Sequence, residues 1–106
     1  MQVVNGIYLP DSDTHFPDMI RKGSLYESKG TYQLNKLEAA MRYVEHKHIA
    51  LDIGAHVGLW ARVLAYKFVS VHAFEMVAAH ADCLEMNCFG LSNVVLHREF
   101  ALGCGP

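Results

Sequence analysis

The most constraining feature of this 106-residue sequence is a short apolar run that two glycines follow at once. Residues 49–53 read Ile-Ala-Leu-Asp-Ile, which fits a strand buried on both faces, as a parallel sheet requires. Gly54 and Gly58 come next, and residues 59–65 read as a helix. A strand, a glycine turn and a helix in this order aim free backbone N–H groups at an anionic or polar ligand. The pattern therefore predicts a ligand-binding turn in an α/β fold.

The spacing within the turn narrows the class of ligand. From Asp52 to Gly58 it is Asp-x-Gly-x-x-x-Gly, and dinucleotide-binding proteins have Gly-x-Gly-x-x-Gly instead. The Gly-Lys-Ser/Thr with which a phosphate-binding loop ends is missing as well. An oxidoreductase that uses a dinucleotide is disfavoured, because the pyrophosphate turn would lack its middle glycine.

A second signal lies at the end of the next predicted strand. Residues 69–75 read Val-Ser-Val-His-Ala-Phe-Glu, and Glu75 stands 17 residues after Gly58. In a nucleotide-binding βαβ unit, an acid at this position accepts hydrogen bonds from both ribose hydroxyls. The alternative is a solvated acid at a strand end. Together the two signals favour a ligand that has a ribose and no demonstrated phosphate, a description that S-adenosylmethionine fits.

These residues also carry a family resemblance. Residues 51–58, Leu-Asp-Ile-Gly-Ala-His-Val-Gly, and residues 73–75, Ala-Phe-Glu, resemble the first two motifs of class I S-adenosylmethionine-dependent methyltransferases. The subtype that they resemble most is the FkbM-type group. Met76 stands where that group has a proline, which loosens the turn but leaves the carboxylate in place. Residues 93–97 and 101–103 are similar to the third strand and the loop after it.

The resemblance implies a fold and a set of cofactor-binding residues. The fold is α/β, a Rossmann-like three-layer sandwich with parallel strand order 3-2-1, near residues 93–97, 70–74 and 49–53, with helices on both faces. The cofactor is S-adenosylmethionine. The candidate cofactor-binding residues are Asp52, Gly54, Ala55, His56, Gly58, Glu75, Met76 and Glu99.

Each candidate has an expected role. Asp52 orients the turn or attracts the ammonium group of the cofactor, and Gly54 and Gly58 allow close backbone approach and close helix packing. Ala55 keeps the turn narrow. His56 contacts cofactor or substrate, or is simply a residue suited to a helix N-terminus. Met76 lies beside the adenine and Glu99 accepts from its amino group, while Tyr32 and Gln33 close over the cofactor.

The remainder of the chain is predicted to support this unit. Residues 1–30 form an N-terminal extension, in which residues 3–9 are a strand pair around the Asn5-Gly6 turn or one bulged strand. Residues 31–106 form the partial Rossmann-like domain. An amphipathic helix is predicted over residues 31–44, a helix to about residue 68, and a third over 78–89.

Two histidine- or acid-rich stretches have a metal-binding alternative. Residues 10–17 and Asp18 form a polar stretch, for which a solvated, turn-rich loop is favoured over a metal site. His46 and His48 are two apart, and we favour a basic helix end over a metal pair.

Composition and charge limit the kinds of molecule that this protein is expected to bind. A net charge of −2 gives no electrostatic case for nucleic acid or an anionic membrane. No apolar stretch reaches the roughly 18 residues that span a bilayer, and the start lacks the pattern of a signal peptide. The three cysteines are expected to be reduced, in a cytoplasmic protein.

The sequence stops after the third predicted strand, whereas the family implies about seven. We therefore expect the cofactor-binding half of a methyltransferase that acts on an unknown acceptor such as a hydroxyl. The alternative is a non-catalytic nucleoside-binding or assembly module. Because the edge of the first strand has no predicted partner, a homodimer is expected; the rival is that residues 3–9 cover this edge.

Overall fold

The computed structural model describes residues 1–21 and 34–99. Tyr32 and Gln33, which were expected to close over a cofactor, lie outside these ranges, as do residues 101–103, the predicted loop after the third strand. The elements, in chain order, are β1 (Gln2–Val4), β2 (Ile7–Leu9), α1 (His15–Arg21), α2 (Leu34–Met41), β3 (Ile49–Ile53), α3 (Leu59–Lys67), β4 (Ser70–Phe74), α4 (Ala78–Asn87) and β5 (Val94–His97).

A three-stranded parallel sheet forms the centre of the domain. β4 lies between β3 and β5 and pairs with both in parallel, with Leu51 opposite His72 and His72 opposite Val95. The strands carry β-branched, aromatic and aliphatic residues, which fit a pleated surface, and each is followed or preceded by a helix. The prediction of an α/β protein with three parallel strands is confirmed, and the architecture is compatible with a Rossmann-like fold.

One face of this sheet is packed against helices. Ala50, Val71 and Ala73 point to this face and are buried together with Leu64 of α3 and Leu84 of α4. Leu37 of α2 joins the same cluster, which makes α2, α3 and α4 a single helical layer. The small side chains on β3 and β4 let the helices approach the sheet closely.

The opposite face, here called the open face, carries no helix within the described residues. Its side chains are Ile49, Leu51, Ile53, Ser70, His72, Phe74, Val95 and His97. Ile49, Leu51 and Ile53 are 63%, 58% and 62% exposed. The predictions of a strand buried on both faces and of helices on both faces are therefore not met in this part of the chain. The apolar run of β3 predicted two covered faces, and the described residues cover only one.

The N-terminal residues form a second small core. β1 and β2 make an antiparallel hairpin whose turn residues, Asn5 and Gly6, both have positive φ angles, 50° and 80°. Asn87 of α4 ties the hairpin down: Tyr8 N–H donates to its Oδ1 at 2.8 Å, and its Nδ2 donates to Tyr8 O at 2.9 Å. The hairpin thus packs on α4 and does not cover the edge of β3, contrary to the rival prediction.

Two helix boundaries differ from prediction. α1 begins at His15, inside the stretch that was predicted to be a loop, because the Asp13 carboxylate accepts hydrogen bonds from the N–H groups of His15 and Phe16 at 2.9 and 3.1 Å. α2 ends at Met41, three residues before its predicted end. None of the helices in residues 1–21 and 34–99 has the length and apolar character that crossing a membrane demands.

Candidate functional site

The glycine turn after β3 depends on three positive φ angles. Gly54, His56 and Gly58 have φ values of 72°, 56° and 90°. At Gly58 a Cβ atom would lie 2.5 Å from Leu84 Cδ1, so a side chain there would collide with α4. At Gly54 a Cβ would meet nothing within 4 Å. A side chain at Gly58 would therefore force the buried Leu84 side chain to shift, while Gly54 faces open space.

The backbone N–H groups of the turn are already hydrogen-bonded. Gly54 and Ala55 both donate to the carbonyl oxygen of Phe74, at 2.9 and 3.0 Å. His56 donates to Glu75 Oε1 at 2.6 Å. The expectation that the turn directs free N–H groups at an anionic ligand is wrong for these three residues, because the end of the neighbouring strand β4 satisfies them.

Glu75 is a buried carboxylate, 8% exposed, that bridges the turn and the start of α4. Its second oxygen, Oε2, accepts a hydrogen bond from Val77 N–H at 3.1 Å and lies 3.9 Å from His80 Nδ1. Each oxygen has a backbone partner, although a carboxylate offers about four acceptor positions. The predicted ribose acceptor therefore also holds the local backbone together.

A cavity of about 420 Å³ lies at the carboxyl end of β3, above the turn. Its size falls within the range of small-molecule sites, roughly 300–1,000 Å³. The lining residues are Phe16, Asp52, Ile53, Gly54, Ala55, His56, Val57, Leu59 and Trp60.

The cavity brings together half of the predicted site. Four of the candidates line it: Asp52, Gly54, Ala55 and His56. Four do not: Gly58, Glu75, Met76 and Glu99. Met76 is 59% exposed and Glu99 is exposed after β5.

Five residues of the cavity wall were not predicted to be site residues: Phe16, Ile53, Val57, Leu59 and Trp60. Phe16 comes from α1, and the only signal for it was an aromatic residue within an otherwise polar stretch. Trp60 stands at the start of α3 and was read as part of the helix alone.

Asp52 combines burial with an unused acceptor. It lines the cavity, and its Oδ2 is buried without a hydrogen-bond partner among the described residues. Burial raises the pKa of the Asp52 carboxyl above its ordinary value, and the negative charge of Glu75 raises it further. Such an oxygen lowers its free energy by accepting from a donor or a cation, so Asp52 is suited to a positively charged ligand group.

The ring of His56 contacts two other rings, both at tilted angles. Its ring centroid lies 3.8 Å from that of His80 and 5.4 Å from that of Phe16. Its Nδ1 is buried and has no hydrogen-bond partner among the described residues. Burial lowers the pKa of His56, and the neighbouring His80 lowers it further, against the opposing effects of Glu75 and Asp13. The neutral imidazole is thereby favoured.

The two cysteines within the described residues offer no nucleophile to this site. Cys83 and Cys88 are free thiols buried in two different clusters, as packing residues. Burial raises the pKa of Cys88 to about 11, against a smaller opposing effect of Arg62. Within residues 1–21 and 34–99 no group of three or more His, Cys, Asp or Glu side chains is placed to hold a metal ion, which includes both polar stretches considered above.

The fold and the site define an α/β protein with a small-molecule cavity at the carboxyl end of a parallel strand. No protein-family model matches the sequence, and no curated protein matches it significantly.

Proposed function

We propose that this chain is the cofactor-binding part of an S-adenosylmethionine-dependent methyltransferase of the class I, FkbM-type group, and that the cofactor binds in the cavity above the glycine turn. The parallel order β3-β4-β5 supports this fold, as do the positions of Asp52 and Glu75 at the ends of neighbouring strands. The free thiols of Cys83 and Cys88 are consistent with a cytoplasmic protein.

The observation that carries the proposal is the Oδ2 oxygen of Asp52, which is buried and has no hydrogen-bond partner among the described residues. It stands in the cavity wall while the N–H groups of Gly54, Ala55 and His56 donate elsewhere. A phosphate in this cavity would meet a negative charge and none of these three donors. A ligand with an ammonium group would instead compensate the buried carboxylate. S-adenosylmethionine carries an ammonium group and a sulfonium.

Some of the other residues around the cavity also suit S-adenosylmethionine. Ala55 and Gly54 keep the turn thin, and Phe16, Leu59 and Trp60 supply apolar surface that excludes water. Glu75 retains acceptor capacity beyond its two backbone bonds, and ribose binding by this residue belongs to the proposal. Contacts of Met76 and Glu99 with the adenine also belong to it, although neither side chain lines the cavity.

The chemistry would be an in-line displacement. When bound, the cofactor supplies a methyl group that its positive sulfur already activates. The residues of this chain would orient the cofactor and exclude water, and positioning is the main contribution that such a transfer needs. The acceptor, such as a hydroxyl, and its base are not assigned to residues of the chain.

A second candidate is a nucleoside-binding or assembly module without transferase chemistry. The double backbone attachment of Glu75 favours it, since a residue with a structural role is retained whether or not a cofactor binds. The two candidates differ in whether a methyl product forms.

Calorimetric titration tests the proposal. S-adenosylmethionine should bind more tightly than ADP, and Asp52→Asn should weaken S-adenosylmethionine about 10- to 150-fold, because a charge-assisted hydrogen bond contributes roughly 1.5–3 kcal/mol. The matched control is Asp18→Asn, an exposed acid outside the cavity, which should leave binding unchanged. Absence of binding, or equal binding by the Asp52 variant, overturns the proposal.

Turnover separates the two candidates once binding is established. Cofactor with a labelled methyl group is incubated with a panel of hydroxyl acceptors, and adenosylhomocysteine is measured. Its formation above a protein-free control supports the transferase, and binding with no product from any acceptor supports the module.

A further inference from the structure

Two histidines on the open face are in direct contact. His72 of β4 and His97 of β5 are diagonal neighbours, since His97 stands opposite Phe74 in the parallel register. His72 Nδ1 lies 2.9 Å from His97 Nε2. The Phe74 ring stacks on that of His97, with centroids 4.4 Å apart and planes 10° from parallel. The stacking favours the observed orientation of one ring of the pair.

We propose that His72 and His97 form a two-histidine site for a divalent transition metal with tetragonal geometry, Cu²⁺ or Ni²⁺. Imidazole nitrogen is a ligand that these ions prefer, and Cu²⁺ has the highest affinity of the first-row divalent ions. Both rings are half-buried, so water can reach the remaining coordination positions. Neither histidine lines the cavity above the glycine turn, so the site is independent of the function proposed there.

The two nitrogens are close enough to become neighbouring ligands of one metal ion. Metal–nitrogen bonds are about 2.0–2.1 Å long, so two nitrogens 2.9 Å apart subtend roughly 90° at the metal, the angle between neighbouring ligands of a tetragonal ion. The ring centroids are 5.1 Å apart and the nitrogens face each other across a hydrogen bond, so both rings must turn toward a common point when the metal replaces that bond. No third side-chain ligand adjoins the pair among the described residues, so water completes the shell.

Metal binding changes the tautomer of the pair and not its charge. In the neutral pair, one of the two contacting nitrogens carries the hydrogen that bonds to the other. When both nitrogens bind the metal, that proton moves through solvent to the other nitrogen of the same ring. Each imidazole then still carries one proton, and no proton is lost from the neutral pair.

Titration of the full chain with Cu²⁺ tests the site. We expect one equivalent that binds tightly in the wild type and at least about tenfold more weakly in His72→Gln or His97→Gln, because each variant removes one of two chelating nitrogens. The control is the double variant His46→Gln, His48→Gln, which removes the exposed histidine pair after α2. The tight equivalent should survive in this control.

Electron paramagnetic resonance of the Cu²⁺ complex reads the ligands directly. An axial spectrum with coupling to two nitrogens is expected in the wild type, and with fewer in either single variant. Urea unfolding with and without metal supplies a check of folding, since a metal bound only to the native state raises the unfolding free energy. The proposal is overturned if binding fails to saturate, if neither single variant weakens it, or if the tight equivalent disappears in the control.

Discussion

The backbone N–H of His56 donates to Glu75 Oε1 at 2.6 Å, which joins the glycine turn after β3 to the end of β4. The other oxygen of the same carboxylate accepts from Val77 N–H at 3.1 Å. One side chain therefore fixes two backbone segments that lie 21 residues apart in the sequence. The acid at this strand end is structural whether or not it also binds a ribose.

Replacing Glu75 should lower stability and cofactor affinity together. Glu75→Ala should lower the unfolding free energy by about 1–3 kcal/mol, because the buried His56 N–H loses its acceptor. Glu75→Gln keeps one acceptor oxygen and should have a smaller effect. The same order is expected for the affinity of S-adenosylmethionine. Urea unfolding and calorimetry measure the two effects, with the exposed Glu85→Gln as control; wild-type values for both Glu75 variants would contradict the prediction.

Gly58 and Gly54 form a matched pair, since both have positive φ angles and only one is crowded. Gly58→Ala should be the more destabilising change, because its Cβ would overlap Leu84. Gly54→Ala should cost only the left-handed backbone strain, about 1–2 kcal/mol. Chemical denaturation gives both values, and equal losses would mean that contact with α4 is unimportant.

Cofactor affinity should depend more on Gly54 than on Gly58, the reverse of the order expected for stability. Gly54 lines the cavity and Gly58 does not. Gly54→Val should abolish cofactor binding in protein that remains folded, because the side chain blocks approach to the backbone. Retained binding in that variant would place the ligand elsewhere.

Asp52 should make stability depend on pH in an unusual direction. Its pKa is raised in the folded state, by burial first and by Glu75 second. As pH rises from 3.8, the ordinary pKa of aspartate, to the higher pKa of Asp52 in the folded state, the unfolded chain loses its proton first. The unfolding free energy therefore falls over this pH range. Above the pKa of Asp52 in the folded state, this loss of unfolding free energy is complete and no longer changes with pH.

Asp52→Asn should therefore stabilise the protein at neutral pH while it weakens cofactor binding. The gain in unfolding free energy should disappear in acid, where Asp52 is protonated in both states. Urea unfolding at several pH values measures it. A variant that is less stable than wild type at neutral pH would show that the ionised carboxylate has a partner.

His56 should contribute stability that is lost in mild acid. Its pKa is lowered in the folded state, by burial first and then by His80. As pH falls below 6.5, the ordinary pKa of histidine, the unfolded chain gains a proton before the folded one does. The unfolding free energy therefore falls as pH decreases from 6.5 to the lower pKa of His56 in the folded state. His56→Asn removes this titration, and asparagine tolerates the positive φ of 56°.

The measurement is the slope of unfolding free energy between about pH 5 and 7. It should be flatter in His56→Asn than in wild type, and unchanged in the control His48→Asn, which alters an exposed histidine before β3. Identical slopes in all three proteins would contradict the prediction.

The outer edge of β3 should make the chain associate with a second copy. The hairpin packs on α4, and no described strand pairs with this edge. An antiparallel pair centred on Leu51 would place Ala50 opposite Asp52 of the second copy, so no like charges meet. Light scattering at micromolar concentration should give a dimer, and a monomer of 11.9 kDa would exclude it.

Two lysine variants distinguish the edge from the open face. Leu51→Lys places a charge at the centre of the β3 edge and should shift the equilibrium to monomer. Val95→Lys places the same charge on β5, two strands away, and should leave the dimer intact. Dissociation by Val95→Lys as well as by Leu51→Lys would mean that the copies pack through their open faces, on which both side chains lie.

The sequence determined the elements whose signals are local. The apolar run over residues 49–53, the following glycines and the spacing to Glu75 predicted β3, its turn, α3 and β4 with close boundaries. Asn5-Gly6 indicated a strand pair or one bulged strand, and the structure has the strand pair, since a two-residue turn sets its own backbone geometry. Such features depend on residues within a few positions of one another.

Contacts between groups that are distant in the sequence could not be predicted and became visible only in the fold. The glycine pattern alone could not show that Phe74 and Glu75 would use the N–H groups of the turn, because those partners lie about 20 residues away. Nor could it place Phe16 in the cavity wall. An apolar strand shows which residues favour burial, but whether a face is covered depends on where distant helices pack, and here α2, α3 and α4 all pack on the face of Ala50.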